Sequence, residues 1–203
     1  MSACHISADV YRRLWLLYLM EQFSEACYGR VRLQKVAYFA AKSSRLKPFT
    51  FKKAPYGQFS EELGDTLEQL TSMRLVTAEP LGKGGNRYRA TVSPEGAHTH
   101  AEWLEAVDPS AKAPIDRAVA DYGYRDQQAL IDTAHEEPGF AEASLFDVLL
   151  QANIPGSIPV QLSDEQCEEL ALSVSPAFLD VLRSLAETDW RTSLSKVRLI
   201  EAR

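Results

Sequence analysis

The stretch APYGQFSEELGDTLEQLTSMRLV, residues 54–76, joins a Tyr-Gly turn to a helix and the helix to a β-type segment. A turn–helix–strand order of this kind can present a reading helix to DNA. The early turns of this helix, however, hold Glu61, Glu62, Asp65 and Glu68, with no base before Arg74. Leu63, Leu67, Leu70 and Met73 repeat at helical spacing, and Phe59 reads as the start of the same apolar stripe. Ser60 fits the N-cap, and Glu61, Glu62 and Asp65 lie where the positive end of the helix dipole favours anions. Carboxylates in that place would repel phosphates more than they would read bases.

Working outward, the chain has 203 residues, 45% of them hydrophobic and 25% charged, as in an ordinary globular protein. Its densest apolar run, Leu14–Met20, is too short to cross a bilayer, and no secretory leader pattern opens the chain. The three cysteines, Cys4, Cys27 and Cys167, are widely spaced and odd in number, which argues against a disulfide framework and for a cytoplasmic location. The net charge of -6 is unevenly placed. Residues 1–95 hold 14 Lys and Arg against 9 Asp and Glu, and residues 96–203 hold 8 against 19. Such asymmetry predicts halves that attract each other or serve different partners.

Ser7 caps a predicted first helix over about residues 9–26, rich in large apolar side chains. In RVRLQKVAYFAAKSSR (30–45), Leu33, Val36, Ala37, Ala40 and Ala41 share one arc, with Arg32, Lys35 and Lys42 opposite; a basic exposed face is expected. FTFKKAPYG (49–57) alternates briefly like a strand. Beyond the third helix, LVTAEPL, the turn GKGGN and RYRATVS predict a β-hairpin, and SPEGAHTHAEWLEAV a further helix. Helix, helix, helix, hairpin, helix is the winged-helix order. The acidic segment after Pro114 reads as helical, and the Pro- and Gly-bearing QANIPGSIPVQL (151–162) as an extended linker. Ser163 and Gln166 stand at capping-box spacing before a helix with Cys167, Leu170, Ala171 and Val174 on one face. Core packing is then the expected role of Cys167. Further short helices follow Ser175 and Arg191.

The expected fold class is mainly α with a small β-hairpin: a winged-helix-like domain over 1–110, an acidic helical extension over 111–150, and a linker and helical tail over 151–203. Metal-ligand spacing is absent: His98 and His100 form an isolated pair that reads as exposed on the helix after the hairpin, and HEEP (135–138) lacks a second histidine. GKGGN reads as a hairpin turn with a basic tip, since no Lys-Ser/Thr pair follows it. The expectation is no catalytic residues, no metal and no cofactor. DNA contact would fall to Arg30, Arg32, Lys35, Lys52, Lys53, Lys83, Arg87 and Arg89, which could neutralise phosphates.

Two stretches taken together, RVRLQKVAYFA (30–40) and YGQFSEEL (56–63), resemble the Panacea-domain antitoxins and related bacterial winged-helix proteins. ALIDTAHEEPGFAEAS (129–144) is similar to a later helix of that group, so the resemblance spans about residues 10–146. Gln58 stands where that group would carry a proline. The region from Ile158 onward, with SPAF and TSLSKVR, resembles the partner-binding part of bacterial antitoxins. The resemblance implies a non-enzymatic antitoxin that occludes its cognate toxin. The residues add that the stripe Leu170, Val174, Phe178, Leu182 and Leu185 needs another surface, its own domain or a partner. An acidic tail suits a basic partner. Expected partner contacts are Glu61, Glu62, Asp65, Leu170, Val174, Phe178, Leu182 and Leu185. A homodimer is compatible with this reading, a membrane partner is not expected, and the alternative is a DNA-binding transcriptional regulator.

Overall fold

A computed structural model describes residues 4–24, 26–80, 86–90 and 100–174. In chain order the elements are β1 (Cys4–Ser7), α1 (Ala8–Glu21), β2 (Cys27–Tyr28), α2 (Arg30–Ser43), β3 (Phe51–Ala54), β4 (Gly57–Phe59), α3 (Glu61–Ser72) and β5 (Val76–Pro80). There follow β6 (Asn86–Ala90), α4 (His100–Val107), α5 (Lys112–Tyr122), α6 (Gln127–His135), β7 (Val148–Leu150), β8 (Ser157–Val160) and α7 (Asp164–Val174). Helices dominate, and the strands form small antiparallel sheets: β1-β8, β2-β6-β5 and β4-β3-β7.

The run Leu14–Met20 is apolar on every side because α1 is covered on every side. It packs against α3, α4, α5, α7 and β6, and Ser7 caps it by accepting a hydrogen bond from the Val10 N–H. α2 lies against α5, α6 and β4. It too is buried through most of its length, so the basic exposed face expected of it does not form at Lys35. α3 is capped by Ser60 Oγ, which accepts from Leu63 N–H at 3.2 Å. It ends in a Schellman-type turn in which Arg74, at φ 60, takes the place usually filled by glycine. Leu75 N–H there donates to Leu70 O and Arg74 N–H to Thr71 O.

One hydrophobic core runs from Ile6 to Val174. The segments expected as 1–110, 111–150 and 151–203 therefore share their packing as far as the described residues extend. The stretch expected as a linker is extended but paired: Lys47 bridges Asn153, and β8 lies in register with β1 from Cys4↔Val160 to Ser7↔Ser157. Ser163 and Gln166 form the reciprocal capping box, each side chain accepting from the other's backbone N–H. α7 then packs on β1 and α1, where Arg13 donates to the Val174 carbonyl at 2.6 Å. This packing corrects the reading of the cysteines. Cys4 and Cys167 are disulfide-bonded, with Cα atoms 6.5 Å apart, and Cys27 is buried and free. A gap of 163 residues hides a proximity that only the β1-β8 pairing creates.

Candidate functional site

The opening stretch meets the basic helix before it. From α2, Gln34 donates through Nε2 to the Ser60 carbonyl at 2.9 Å and accepts from the Ser60 N–H at 2.8 Å. One buried amide thus satisfies both backbone groups at the start of α3. Lys35, next along the helix, is 2% exposed and donates its ammonium to the Gln58 carbonyl at 2.7 Å. Burial pulls its pKa down from 10.5 to about 8. Gly57, at φ +94, makes room for it: a Cβ there would stand 2.9 Å from both Cε and Nζ of Lys35. Gln58, fully buried, donates to the Ala134 carbonyl at 2.7 Å and so ties β4 to α6. A proline would put no amide there. Sequence reasoning saw these motifs in order but not their contact, and it took Lys35 for a surface cation.

The expected phosphate contacts are largely spoken for by the chain itself. Arg30 donates to Tyr88 Oη at 3.1 Å and to Glu68 at 3.0 Å, bonds that raise its pKa. Arg32 donates to the carbonyls of Gly123 and Arg125 at 2.8 and 2.7 Å. Lys53 donates to the Phe140 and Ala143 carbonyls and lies 4.6 Å from the Phe140 ring centroid. Lys52 stands 3.8 Å from Glu61, and Arg87 pairs with Glu79. Arg89 lies on β6 opposite Thr77, and Lys83 falls outside the described residues. As a correction, Lys35 is enclosed and cannot reach a phosphate from its place.

The acids of α3 divide. Glu62 holds the helix start, accepting from the Thr50 N–H at 2.7 Å and from Arg12 at 3.3 Å. Glu61 and Asp65 are exposed. Of the tail stripe, Leu170 and Val174 are buried by their own chain, which removes them from a partner surface in this conformation. Phe178, Leu182 and Leu185 lie outside the described residues. His100 is also buried rather than exposed, with Nδ1 2.5 Å from Glu21 Oε1, and His98 is outside the description. Among the described residues no group of three or more His, Cys, Asp or Glu could hold a metal, and no helix is long and apolar enough to cross a membrane.

What sequence reasoning missed lies on the other face of the β4-β3-β7 sheet. Phe59, Lys52 and Val148 are cross-strand partners in one row, and directly opposed residues of antiparallel strands share a face. That face points to solvent: Phe59 is 43% exposed and Val148 50%. Tyr56, in the β3–β4 turn, is 68% exposed, and Phe146, leading into β7, 67%. Phe59 is thus not the first residue of the α3 stripe but a β4 residue facing outward, because Ser60 caps the helix after it. Phe146 adopts φ 73, a left-handed conformation that bulky residues seldom occupy. The Phe146 N–H donates to Lys53 O at 2.9 Å, and the Lys53 N–H to Asp147 O at 2.8 Å, fixing it there. The available signal was the strand-like FTFKKAPYG preceding a serine cap, which ends the helical period before Phe59.

No family model matches the chain, and no curated protein and no solved structure matches it.

Proposed function

We propose that the chain is a non-enzymatic protein-binding regulator, most concretely the antitoxin of a bacterial toxin–antitoxin pair that neutralises its toxin by direct binding. The observation that carries this reading is the group Tyr56, Phe59, Phe146 and Val148, aromatic and aliphatic side chains held toward water beside the exposed carboxylate of Glu61. Exposed aromatic side chains of this kind are typical anchors at protein interfaces. Glu61 and Asp65 remain available to a basic partner, whereas Glu62, Leu170 and Val174 serve the fold. The adjacent gene supplies the test. Its product should arrest growth when expressed alone and should be neutralised, in a stable complex, by this chain. A harmless product that forms no complex overturns the reading.

A second reading, a winged-helix transcriptional regulator, draws on topology. With β3 and β4 set aside as an insertion between α2 and α3, the order α1, β2, α2, α3, β5, β6 and the pairing of the short β2 with β6 support this reading. A salt-sensitive shift of the chain's own promoter fragment, lost when Lys83, Arg87 and Arg89 become alanine, would favour it. No shift at low salt would dismiss it.

A further inference from the structure

α7 is held to the rest of the fold at few points. Of its eleven residues only Leu170 and Val174 are buried, whereas α1 buries eight of its fourteen. Asp164, Glu165 and Glu168 face water, and the helix carries no base. A helix of this length is not stable alone in water and keeps its shape only by docking. Arg13 donates to the Val174 carbonyl at 2.6 Å, yet its Nε is buried with no partner among the described residues. Docking thus leaves one guanidinium donor unanswered.

The remaining tie is covalent. Cys4 already pairs with Val160 in the β1-β8 ladder, and residues 161–163 are all that separate β8 from α7. The Cys4–Cys167 bond therefore closes a small clip, from β1 through β8 to α7, across a three-residue corner. Gln161 and Ser163 in that corner are exposed. Cys4 and Cys167 are half-buried, whereas Cys27 is enclosed at 0% exposure. A thiolate from solution can reach the bonded pair and not the free thiol.

We propose that the Cys4–Cys167 disulfide is a redox latch on α7, which a dithiol reductant opens and a disulfide oxidant closes. One thiolate of the reductant attacks a latch sulfur, the S–S bond breaks, and the second thiol closes on the mixed disulfide. The reductant leaves as its cyclic disulfide, and two electrons and two protons end on Cys4 and Cys167 as thiols. Without the bond, docking rests on two apolar side chains and one hydrogen bond from Arg13. α7 then turns about residues 161–163 while the four pairs of the β1-β8 ladder stay in place. Leu170 and Val174, together with the parts of β1 and α1 beneath them, come into water. The latch belongs to a different sheet from the Phe59 and Val148 face, and it stands or falls independently of the protein-binding reading.

Amide hydrogen exchange of the full chain is followed by mass spectrometry after air oxidation, after reduction by dithiothreitol, and after reoxidation by oxidised glutathione. Parallel aliquots are alkylated to count thiols. Reduction should add two alkylated residues, Cys4 and Cys167, and leave Cys27 unlabelled. The amides of 168–174 should then exchange at least roughly tenfold faster, while those of α2 and α5 keep their rates. Reoxidation should restore the slow rates. Unchanged exchange of 168–174 in the reduced chain would overturn the proposal, because α7 then stays docked without the bond. Faster exchange throughout the chain would overturn it too, making the bond a staple of the whole fold. So would slow rates that never return, a bond that dithiothreitol leaves intact, or Cys4 and Cys167 alkylated before reduction. A chain carrying Cys4→Ser and Cys167→Ser should show the fast α7 rates in either buffer, and protection of its α7 would also overturn the latch. Should that variant not fold, the reduced natural chain carries the test.

Discussion

The two faces of the β4-β3-β7 sheet are each mixed in polarity. Inward, Gln58 and Lys53 stand beside the fully buried Phe51, whose ring meets Tyr38 of α2; Lys35 donates to the Gln58 carbonyl and the Gln58 amide to Ala134 of α6. Outward, the exposed Phe59 and Val148 flank Lys52. A half-buried sheet ordinarily places its apolar side chains inside and its polar ones in water. The inner donors survive burial because backbone carbonyls accept from them, while the buried Gln58 Oε1 has no hydrogen-bond partner among the described residues. The outer apolar groups have no such answer within the described chain. A face that costs free energy in the isolated protein is where a partner is to be sought, and a polar group that is buried and answered belongs to the fold.

The inner face is broken most severely at Gly57. Gly57→Ala combines an unfavourable φ with a Cβ pressed to 2.9 Å from the Lys35 side chain. It should lower unfolding free energy by about 3 kcal/mol. Chemical denaturation would show this as a fall in midpoint with an unchanged slope. Gln34→Ala leaves the buried N–H and carbonyl of Ser60 without their side-chain partner. It should cost about 2 kcal/mol by the same measurement. If either change is harmless, the contact between the two motifs is incidental.

Lys35 sharpens the comparison through pH. Its folded pKa, about 8, lies below its ordinary value of 10.5. Below pH 8 both folded and unfolded chains hold the proton, and the burial penalty is constant. Above it the folded chain releases the proton first, so stability rises with pH by at most about 1.4 kcal/mol per unit. Cys27 and Tyr38, each pushed up to about 12 by burial, act in the opposite sense above their unfolded values near 9 and 10. The clean window is therefore pH 8–9. Lys35→Met should flatten the slope there while the Cys27 and Tyr38 contributions cancel in the difference. A slope that persists in the Met variant assigns it to another group.

Much of the local structure was legible from the residues. Ser7, Ser60 and the Ser163–Gln166 pair cap the helices they were expected to cap, because a cap needs only a side-chain oxygen and a few neighbouring amides. The long-range geometry was not. A helical wheel places Lys35 opposite Leu33 and Val36, but it knows nothing of β4 covering that side. Prolines made 151–162 look like a linker, yet Pro159 sits comfortably in β8, since a two-stranded ladder offers an open edge to a residue with no N–H. The solvent face escaped for a related reason. Phe59 fits the period of α3 perfectly well on paper, and only the cap at Ser60 moves it into a strand.

The outer face gives the smallest and most discriminating change. At φ 73 a phenylalanine carries about 1–2 kcal/mol of backbone strain that glycine would not. Glycine in turn gives the unfolded chain more freedom, worth about 0.5–1 kcal/mol. Little buried area is lost, because the ring is already 67% exposed. Phe146→Gly should therefore leave the isolated protein unchanged or more stable by about 0.5 kcal/mol, while weakening the partner. A buried, structural aromatic would behave in the opposite way, losing a few kcal/mol on truncation and leaving binding intact. Thermal unfolding of the variant, read beside its ability to form the complex with the partner protein, separates the two: a gain or no change in stability with a loss of binding places the strain in the service of the interface, and a large loss of stability would mean that the ring belongs to the core after all.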